Sequence, residues 1–440
     1  MARPRKSMRL SVAVNGRLVG TLDRASNGAI SFAYAPEWLR DERRAIPVSL
    51  SLPLREDRYT GAEVSAYFDN LLPDNDTIRR KVAEKVGAEG TDAFNLLASI
   101  GRDCVGALQF LPDGADIPLT GPPQSVPLDE SEIADTIRNL ASAPLGIQPD
   151  GEREFRISIA GAQEKTAFLW NDGWCLPQGS TPTTHIFKPQ LGELPNGLDM
   201  SCSVENEHFC LTFCRELGLA VPESQILDFE DIRVLSIKRF DRIETADSRL
   251  LRLPQEDFCQ ALSVPATRKY NSEGGPGISE CLSLLTGSDD PEQDRLDFLK
   301  AQIVFWLIAA TDGHAKNFSV FLFPGGRFKM TPIYDVMSAQ PNFAQRRLRR
   351  NQIKLAMAVG DSRHYVVNEI LPRHFGQSAK AAGVSLQQFQ ELIHGLEGGV
   401  YDALERTAAS MPADVFEGIG QPIKETLETK LQTIRAYLEN

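Results

Sequence analysis

Two acidic side chains and one amide follow each other at spacings that suit metal-dependent chemistry. Asp312 opens the stretch Asp312-Gly-His-Ala-Lys-Asn317, and Asp335 comes after a predicted β-hairpin that turns at Pro324-Gly-Gly326. An apolar run predicts a buried helix over 297–311, directly before this stretch. Because the hairpin returns the chain to its starting point, we expect Asp335 to lie beside the loop. Carboxylate and amide oxygens suit Mg²⁺, which also takes phosphate oxygens as ligands, so the pattern predicts phosphoryl transfer.

The spacing Asp-x-x-x-x-Asn equals that of the catalytic loop of protein kinases, in which the Asp accepts the substrate hydroxyl proton and the Asn holds magnesium. Asp335 would hold a second metal position, and Lys316 would neutralise the transferring phosphoryl group. Each residue taken singly has a simpler interpretation. Asp312 would cap a turn, Asn317 would bond to the local backbone, and Asp335 would be a solvated strand end. The order helix, loop, hairpin favours the catalytic interpretation, because a turn needs no such distant partner.

A kinase also needs a strand lysine that pairs with a helix glutamate. Lys188 ends a β-like run that starts at Thr184, and the following helix, predicted over 204–217, offers Glu205 and Glu207 near its start. Glu207 lies on the apolar face of that helix, whereas Glu205 does not. We therefore expect an ion pair between Lys188 and Glu207, and a snorkelling surface lysine beside an edge glutamate remains the alternative.

A further segment, Ser158-Ile-Ala-Gly-Ala-Gln-Glu-Lys165, lies at a predicted strand-to-strand turn before Lys188. A kinase places the loop that covers the nucleotide phosphates at this position. The segment is not a Walker A loop, which needs a second glycine directly before Lys-Ser or Lys-Thr. Backbone N–H groups around Gly161 and Ala162 are predicted to form a nest for phosphate oxygens.

The elements around these segments predict an α+β chain. Alternating residues before Asn15-Gly16 indicate a β-hairpin with a type I′ turn, and helical spacing begins at about Ala62. Prolines crowd the stretch 111–128 and predict a linker without helix or sheet. After Gln255 the pattern is helical, apart from the hairpin before Asp335. The predicted domains are an α+β subdomain (1–110), a Pro-rich linker (111–130), a lobe with the phosphate loop and the lysine (131–240), and a mainly helical lobe with the catalytic loop (241–440).

Composition excludes several classes of protein. The 440 residues carry 47 Lys+Arg and 59 Asp+Glu, a net charge of −12, which argues against a surface that coats nucleic acid. Seven cysteines without a CxxC pair predict free thiols in a reducing cytosol, not a zinc ribbon or a disulfide framework. No apolar run reaches membrane-spanning length, and the basic N-terminus lacks a signal-peptide core, so no membrane association is expected.

Motifs along nearly the whole chain resemble those of the HipA toxin kinases. They are Ser158-x-Ala-Gly-Ala-Gln-Glu-Lys165, Thr181-Pro-Thr-Thr-His185, Arg239-Phe-Asp-Arg242, Leu253-Pro-Gln-Glu-Asp257, Thr311-Asp-Gly-His-Ala-Lys-Asn317, Tyr334-Asp335, Ser49-Leu-Ser-Leu-Pro-Leu54 and Phe68-Asp-Asn-Leu-Leu-Pro-Asp74. The resemblance implies a two-lobed kinase-like core, with a mixed β-rich N-lobe and a mainly helical C-lobe, preceded by a subdomain that contains the β-hairpin.

The resemblance also implies a function. Members of the HipA family are toxins of type II toxin–antitoxin pairs and use ATP and Mg²⁺ to phosphorylate serine or threonine in proteins. The implied substrate is an aminoacyl-tRNA synthetase, with the glutamate enzyme as the usual target, and its phosphorylation stops translation and induces dormancy and persistence. The implied partners are a HipB-like helix-turn-helix antitoxin and, through it, operator DNA, with possible dimerisation in that complex. The implied location is the cytoplasm, at the nucleoid when the antitoxin is bound.

Individual roles follow from the same resemblance. Asp312 resembles the catalytic base, with Lys316 beside it, and Asn317 and Asp335 resemble the magnesium ligands. The implied ATP-binding residues are Ser158, Ile159, Ala160, Gly161, Ala162, Gln163, Lys188, Lys238, Phe240 and His314, with Glu207 as the partner of the lysine. Lys238 and Phe240 lie where the strand between the lobes would offer backbone groups to adenine. Ser158 resembles the family's autophosphorylated serine. Its phosphate would add about −2 charge inside the loop that holds the phosphates of ATP, and repulsion would switch the enzyme off.

Two questions stay open in the sequence. The run Gln345-Arg-Arg-Leu-Arg-Arg350 lies where kinases carry an activation segment. It is either a solvated charge run or a dock for an acidic substrate, a tRNA-bound synthetase or operator phosphates. The alternative functions are a small-molecule phosphotransferase of the antibiotic-kinase type and a non-catalytic co-repressor bound to DNA.

Overall fold

The computed structural model describes residues 8–146, 157–161, 163–194 and 197–439. The chain forms two compact units, each assembled from three segments. The first unit contains Met1–Pro189, Leu227–Thr267 and Val320–Phe328, and the second contains Gln190–Ile226, Arg268–Ser319 and Lys329–Asn440. Ala162, which was predicted to contribute to the phosphate nest, lies outside the described residues.

Strands dominate the first half of the chain. The strands up to Pro189 are β1 (Met8–Val14), β2 (Arg17–Arg24), β3 (Ile30–Tyr34), β4 (Tyr59–Thr60), β5 (Asp103–Cys104), β6 (Leu108–Pro112), β7 (Ser125–Pro127), β8 (Ile157–Ser158), β9 (Thr166–Trp170), β10 (Trp174–Pro177) and β11 (His185–Pro189). The helices of the same stretch are α1 (Pro36–Arg40), α2 (Ala62–Asp69), α3 (Asp76–Val86), α4 (Ala93–Ile100) and α5 (Glu130–Arg138).

Helices dominate the second half. Its strands are β12 (Gly192–Glu193), β13 (Asp199–Met200), β14 (Ser224–Phe229), β15 (Ile232–Lys238), β16 (Arg242–Glu244), β17 (Leu250–Arg252), β18 (Gln255–Asp257), β19 (Ser319–Leu322), β20 (Phe328–Met330), β21 (Lys354–Val359) and β22 (His364–Val366). Its helices are α6 (Ser203–Glu216), α7 (Phe258–Ala261), α8 (Ile278–Leu285), α9 (Pro291–Ile308), α10 (Gln340–Ala344), α11 (Pro372–Ala381), α12 (Leu386–Ala409), α13 (Ala413–Val415) and α14 (Gln421–Leu438).

The predicted hairpin opens the first sheet of the first unit, whose strand order is β4-β3-β2-β1-β6. β1 and β2 pair in antiparallel fashion around Asn15 and Gly16, whose φ angles of 47° and 81° are those that a type I′ turn requires. The buried face of this sheet carries Phe32, which packs against Phe68 of α2 at 5.7 Å between ring centroids. The hairpin prediction is therefore confirmed.

A second sheet of the first unit has the order β14-β15-β11-β9-β10-β7 and packs on α5. Here the prediction of a linker without sheet structure is wrong, because β7 (Ser125–Pro127) pairs with β10. β7 is the edge strand, and a proline is tolerated at an edge because one side of the strand needs no hydrogen-bond partner. Proline density therefore predicted an irregular chain where the fold uses a short edge strand.

The second unit is mainly helical, as predicted. It also contains short strands, among them the antiparallel hairpin of β21 and β22, which the helical pattern after Gln255 did not predict. β21 reads Lys-Leu-Ala-Met-Ala-Val, and leucine, alanine and methionine favour a helix by local propensity. Four of its residues, Leu355, Ala356, Met357 and Val359, are buried, so packing has overridden that propensity.

None of the helices in the described part of the chain is long and apolar enough to cross a membrane. All seven cysteines are free thiols, and only Cys202 is exposed. Cys210 and Cys214 are buried on α6, where they pack as small apolar side chains.

Candidate active site

The second unit builds the candidate catalytic loop at the end of its central helix. α9 begins with a proline at its first turn and buries Phe298, Ile303 and Trp306, among other residues. The helix ends at Ile308, earlier than the predicted 311, because Ala309 adopts a left-handed conformation with φ 53° and ψ 45°. The turn at Ala309 redirects the chain into the loop that starts at Asp312.

Within this loop the side chains differ in exposure. His314, Lys316 and Asn317 are buried, whereas 48% of the Asp312 side chain is exposed. The Nδ2 atom of Asn317 donates a hydrogen bond to the backbone oxygen of Asp312 at 2.8 Å, which closes the loop. Asp312 is thus the member of the loop that solvent or a substrate can reach, as a general base requires.

The hairpin after the loop returns the chain as predicted. β19 and β20 are neighbours in one sheet, and beyond β20 the N–H of Thr331 donates to the oxygen of Ser319 at 2.9 Å. The hydroxyl of Tyr334 lies 2.6 Å from Ser319 Oγ and donates to the backbone oxygen of Lys316 at 3.2 Å. Tyr334 therefore ties the segment that carries Asp335 to the last turn of the loop.

A second set of contacts fixes the other side of Asp335. Ala310 and Ser338 form an antiparallel bridge, and the N–H of Ala339 donates to the oxygen of Ala309 at 3.0 Å. Asp335 lies between this pairing and the Tyr334 contacts, and its φ of 62° is rare for a residue with a side chain. Strained conformations of this kind cluster at functional sites, where the surrounding structure enforces them.

The charges that act on His314 indicate that the carboxylates of Asp312 and Asp335 both lie near it. Burial lowers the pKa of His314, and the negative charges of Asp312 and Asp335 oppose this shift. The Nε2 atom of His314 lies 3.7 Å from Oδ1 of Asp312. The structure therefore brings Asp312, His314, Lys316, Asn317 and the Asp335 segment together in the second unit.

Glu207 lies in the same unit, on α6. The neighbouring Asn206 exchanges two hydrogen bonds of 2.8 Å with the backbone of Ser338, so α6 holds the segment that follows Asp335. Glu207 is buried as predicted, but the expectation that Glu205 lies off the buried face is wrong. α6 is buried on most of its circumference, and Glu205 accepts a hydrogen bond from Gln190 Nε2 at 2.6 Å.

The first unit holds the predicted phosphate loop. Ser158 and Ile159 are buried, and the Ser158 hydroxyl donates to the backbone oxygen of Leu71 at 2.7 Å. Gly161 has φ 117°, and its oxygen accepts from the N–H of Asp74 at 3.0 Å. The segment 71–74 of the N-terminal subdomain thus binds the loop on two sides.

Lys165 and Gln163 complete this arrangement. A Cβ atom at Gly161 would lie 2.5 Å from Nζ of Lys165, which itself donates to the oxygen of Ala160 at 3.1 Å. Glycine is favoured at 161 by its backbone conformation, which residues with a side chain rarely adopt, and Lys165 lies where a side chain would start. The side chain of Gln163 donates to the oxygen of Pro189 at 3.1 Å, next to the strand lysine.

Lys188 and the predicted adenine-facing strand are neighbours in the second sheet. Lys188 pairs with Leu235 across β11 and β15, and Lys238 pairs with His185. Lys188 is buried and lies on the face opposite to Phe187, which packs in the core. Phe240, which follows β15, packs edge-on against Phe321 at 5.7 Å. Lys188 and Glu207 belong to different units, and their ion pair stays a prediction.

The arginine run is partly engaged within the second unit. Arg347 lies 3.3 Å from Glu193 and 3.4 Å from Asp199. Arg346, Arg349 and Arg350 are exposed.

Two residues near the loop were not foreseen from the sequence. The hydroxyl of Tyr270 donates to Oδ1 of Asp312. The ammonium of Lys430 on α14 is buried and donates to the backbone oxygens of Trp306 and Leu307 at the end of α9. Neither residue stands at a motif spacing from Asp312, so no local signal could have found them.

Comparisons with known proteins find one family along most of the chain. Residues 157–404 match the family model described as HipA-like C-terminal domain, and residues 10–111 match the HipA N-terminal domain. A relative named "Putative kinase Y4mE" from Sinorhizobium fredii is 35% identical over 90% of this chain and 91% of its own length. The serine/threonine-protein kinase toxin HipA of Shewanella oneidensis is 28% identical, over 81% of this chain and 79% of its own.

A solved structure extends the likeness to the fold. A chain of the Shewanella oneidensis complex of HipA, HipB and its operator DNA matches with a TM-score of 0.80 and 25% identity, over 98% of this chain and 99% of that chain. The family models, the relatives and the fold agree, and this chain belongs to the HipA family of toxin kinases.

Proposed function

We propose that this protein is an ATP- and Mg²⁺-dependent serine/threonine protein kinase and the toxin of a type II toxin–antitoxin pair. The observation that supports this best is a set of hydrogen bonds in the second unit. They close the loop between Asp312 and Asn317 and hold the segment of Asp335 beside it. In the proposed reaction the substrate hydroxyl oxygen bonds to the γ-phosphorus of ATP, the bond to the bridging oxygen breaks, and ADP leaves. Asp312 accepts the hydroxyl proton.

The donor set beside Asp312 fits magnesium. Asn317 and Asp335 would hold the ion through oxygen atoms, with phosphate and water oxygens as its other ligands. Among the described residues, no group of three or more His, Cys, Asp or Glu side chains could hold a metal. A site of one carboxylate and one amide is therefore expected to load only together with the nucleotide. When bound, the ion would neutralise charge on the phosphates.

The first unit would supply the nucleotide contacts. Lys188 would bind the phosphates, the loop from Ser158 to Gln163 would cover them, and the backbone at Lys238 and Phe240 would face adenine. The position of Lys188 supports its role, because Gln163 of the loop donates to the backbone oxygen of the adjacent Pro189.

Ser158 is proposed as the site of autophosphorylation. Its hydroxyl is fully buried and bonded to Leu71, so phosphate can be transferred to it only after the loop has left the 71–74 segment. A phosphoserine carries about −2 charge and could not return to this buried position, since the oxygen of Leu71 is an acceptor. Phosphorylation would therefore hold the loop open and stop the enzyme.

The proposed substrate is an aminoacyl-tRNA synthetase, most specifically the glutamate enzyme, whose phosphorylation would stop translation and promote dormancy. The proposed partners are a HipB-like antitoxin and operator DNA, because the solved relative is a complex of HipA, HipB and its operator DNA. With the antitoxin the protein would co-repress its operon at the nucleoid. Copurification with the product of a neighbouring helix-turn-helix gene tests this part.

Phosphate transfer from labelled Mg-ATP tests the proposed function directly. The purified protein is expected to label itself at Ser158 and to label glutamyl-tRNA synthetase within a panel of synthetases. Asp312→Asn should reduce both rates at least about 100-fold, because it removes the proton acceptor and keeps the shape of the side chain. Mass spectrometry would identify the labelled residues.

Asp361→Asn is the matched control for the loss of a carboxylate. Asp361 is exposed on a turn of the same unit, and its variant should transfer phosphate at the rate of the original protein. Full activity of Asp312→Asn would contradict the assigned base. Transfer to aminoglycosides but to no protein would favour the small-molecule phosphotransferase, and no transfer at all would favour the non-catalytic co-repressor.

A further inference from the structure

Tyr270 contacts the proposed base directly. Both residues belong to the second unit, and the phenolic hydroxyl of Tyr270 donates a hydrogen bond to Oδ1 of Asp312. The ring of Tyr270 also packs edge-on against the ring of His314, at 4.9 Å between centroids and an interplanar angle of 88°. The same side chain therefore contacts the loop at two points.

These contacts distinguish the two oxygens of Asp312. Oδ1 receives the Tyr270 hydroxyl and lies 3.7 Å from Nε2 of His314. Among the residues that the structure describes, no group donates to Oδ2. Since about half of the Asp312 side chain is exposed, Oδ2 is the oxygen that remains for an incoming hydroxyl.

Tyr270 is held rigidly enough to orient a partner. The N–H of Gly275 donates to the oxygen of Tyr270 at 3.0 Å, and a Cβ atom at Gly275 would lie 2.1 Å from the oxygen of Arg268. The next residue, Asn271, donates to the oxygen of Gly275 at 2.9 Å and accepts from the Tyr365 hydroxyl at 3.0 Å. The turn of residues 270–275 is thus closed from both sides.

We propose that Tyr270 is a positioning residue that fixes the Asp312 carboxylate with Oδ2 directed to the substrate hydroxyl. This inference rests on the proposed function, in which Asp312 accepts a proton. A free carboxylate rotates between orientations, and one strong hydrogen bond to Oδ1 restricts it before the substrate arrives. Charge-assisted hydrogen bonds of this type have the directionality for that purpose, and preorganised geometry raises the rate of the chemical step.

Tyr270→Phe tests the proposal because it removes only the hydroxyl and keeps the ring that packs on His314. The single-turnover rate of phosphate transfer to the protein substrate is expected to fall about tenfold, which is an ordinary loss for one charge-assisted hydrogen bond. The KM for ATP should stay within about twofold, and the thermal midpoint should match that of the control. A variant that merely loosened the fold would change nucleotide affinity and the midpoint as well.

Tyr401→Phe is the matched control. Tyr401 is half-buried on α12 of the same unit and takes no part in the 270–275 turn or in the loop, so the variant should transfer phosphate at the original rate. An unchanged rate in Tyr270→Phe would overturn the proposal, and so would a higher rate, since the hydroxyl would then compete with the substrate. An active Asp312→Asn variant would instead overturn the proposed function, so the two failures are distinguishable.

Discussion

Glu256 is a buried carboxyl group whose protonation is coupled to the stability of the first unit. The N–H of Leu50 donates to its Oε1 atom at 2.7 Å, and the Ser49 hydroxyl donates to Oε2. Burial raises the pKa of Glu256 from 4.5 to about 8, and these two donors only partly oppose the shift. Two motifs that are far apart in the sequence, 49–54 and 253–257, therefore meet at one proton-binding group.

The raised pKa of Glu256 predicts a pH dependence of stability. Between pH 4.5 and about 8 the folded chain retains a proton that the unfolded chain has lost. The contribution of Glu256 to the free energy of unfolding is therefore fully present below pH 4.5 and falls as pH rises to about 8, by up to about 1.4 kcal/mol per pH unit.

Glu256→Gln should flatten this dependence, because glutamine stays neutral and can accept from Leu50 while donating to Ser49. Urea unfolding midpoints at pH 5, 6, 7 and 8 would measure it. Glu405→Gln, at an exposed position of α12, is the control and should keep the original slope. Equal slopes in all three proteins would show that Glu256 ionises normally in the folded chain.

At the scale of elements, the end of α9 depends on α14. The last carbonyl groups of a helix have no partner within the helix, and here Lys430 of α14 donates to the oxygens of Trp306 and Leu307. The ammonium also lies 5.2 Å from the ring centroid of Trp306. Burial lowers the pKa of Lys430 well below its ordinary value. The residue thus stabilises the helix end from which the candidate loop begins.

Lys430→Met tests this role, since methionine is apolar, of similar length and without a donor. The variant leaves two buried carbonyl groups without their partner and should lower the free energy of unfolding by about 1–3 kcal/mol. Lys424→Met, on the same helix, should change it by less than about 0.5 kcal/mol. Denaturant unfolding of both variants would measure the difference, and equal values would assign no special role to Lys430.

The sequence predicted elements well where the signal was local. The apolar residues of α9 and the Asn15-Gly16 turn each act within a few residues, and both were found. The end of α9 at Ile308 was not, because an alanine at 309 gives no sign that it will adopt a left-handed conformation. β21 was missed because its packing, and not its propensity, makes it a strand.

The same limit applies to the candidate site. The spacing of Asp312 and Asn317 predicted one loop, and the hairpin predicted the return of Asp335 beside it. Tyr270 precedes Asp312 by 42 residues, and Lys430 follows Trp306 by 124, and no rule of periodicity connects such positions. Contacts that form only through tertiary packing could therefore not be predicted from local sequence patterns.

At the scale of the whole molecule, a buried charge cluster joins distant segments of the first unit. Asp103 accepts hydrogen bonds from Arg242 and Arg239 and from the hydroxyl of Thr183. Burial alone would raise the pKa of Asp103, but the neighbouring guanidinium groups, with that of Arg252 among them, hold it below its ordinary value. Asp103 lies on β5, which pairs with β8 at the start of the phosphate loop, and the arginines follow β15, so one carboxylate links both parts.

Asp103→Asn should destabilise the first unit strongly. The change leaves three buried arginines with Asp241 as the remaining charged partner in the cluster, and breaking a buried ion pair costs about 3–5 kcal/mol. Thermal unfolding and limited proteolysis would detect the loss. Asp247→Asn removes an exposed partner of Arg249 and should cost less than about 1 kcal/mol. A small effect at Asp103 would mean that the cluster is dispensable for folding.

The interleaving of the two units has a consequence for synthesis on the ribosome. The first unit is incomplete until Phe328 is available, and the second needs residues from the far C-terminal stretch of the 440. The strands of the first sheet all lie before residue 113, but the first unit as a whole cannot be completed until its later segments have been translated. We expect the emerging polypeptide to expose apolar strands until translation is well advanced, which makes it a substrate for chaperones.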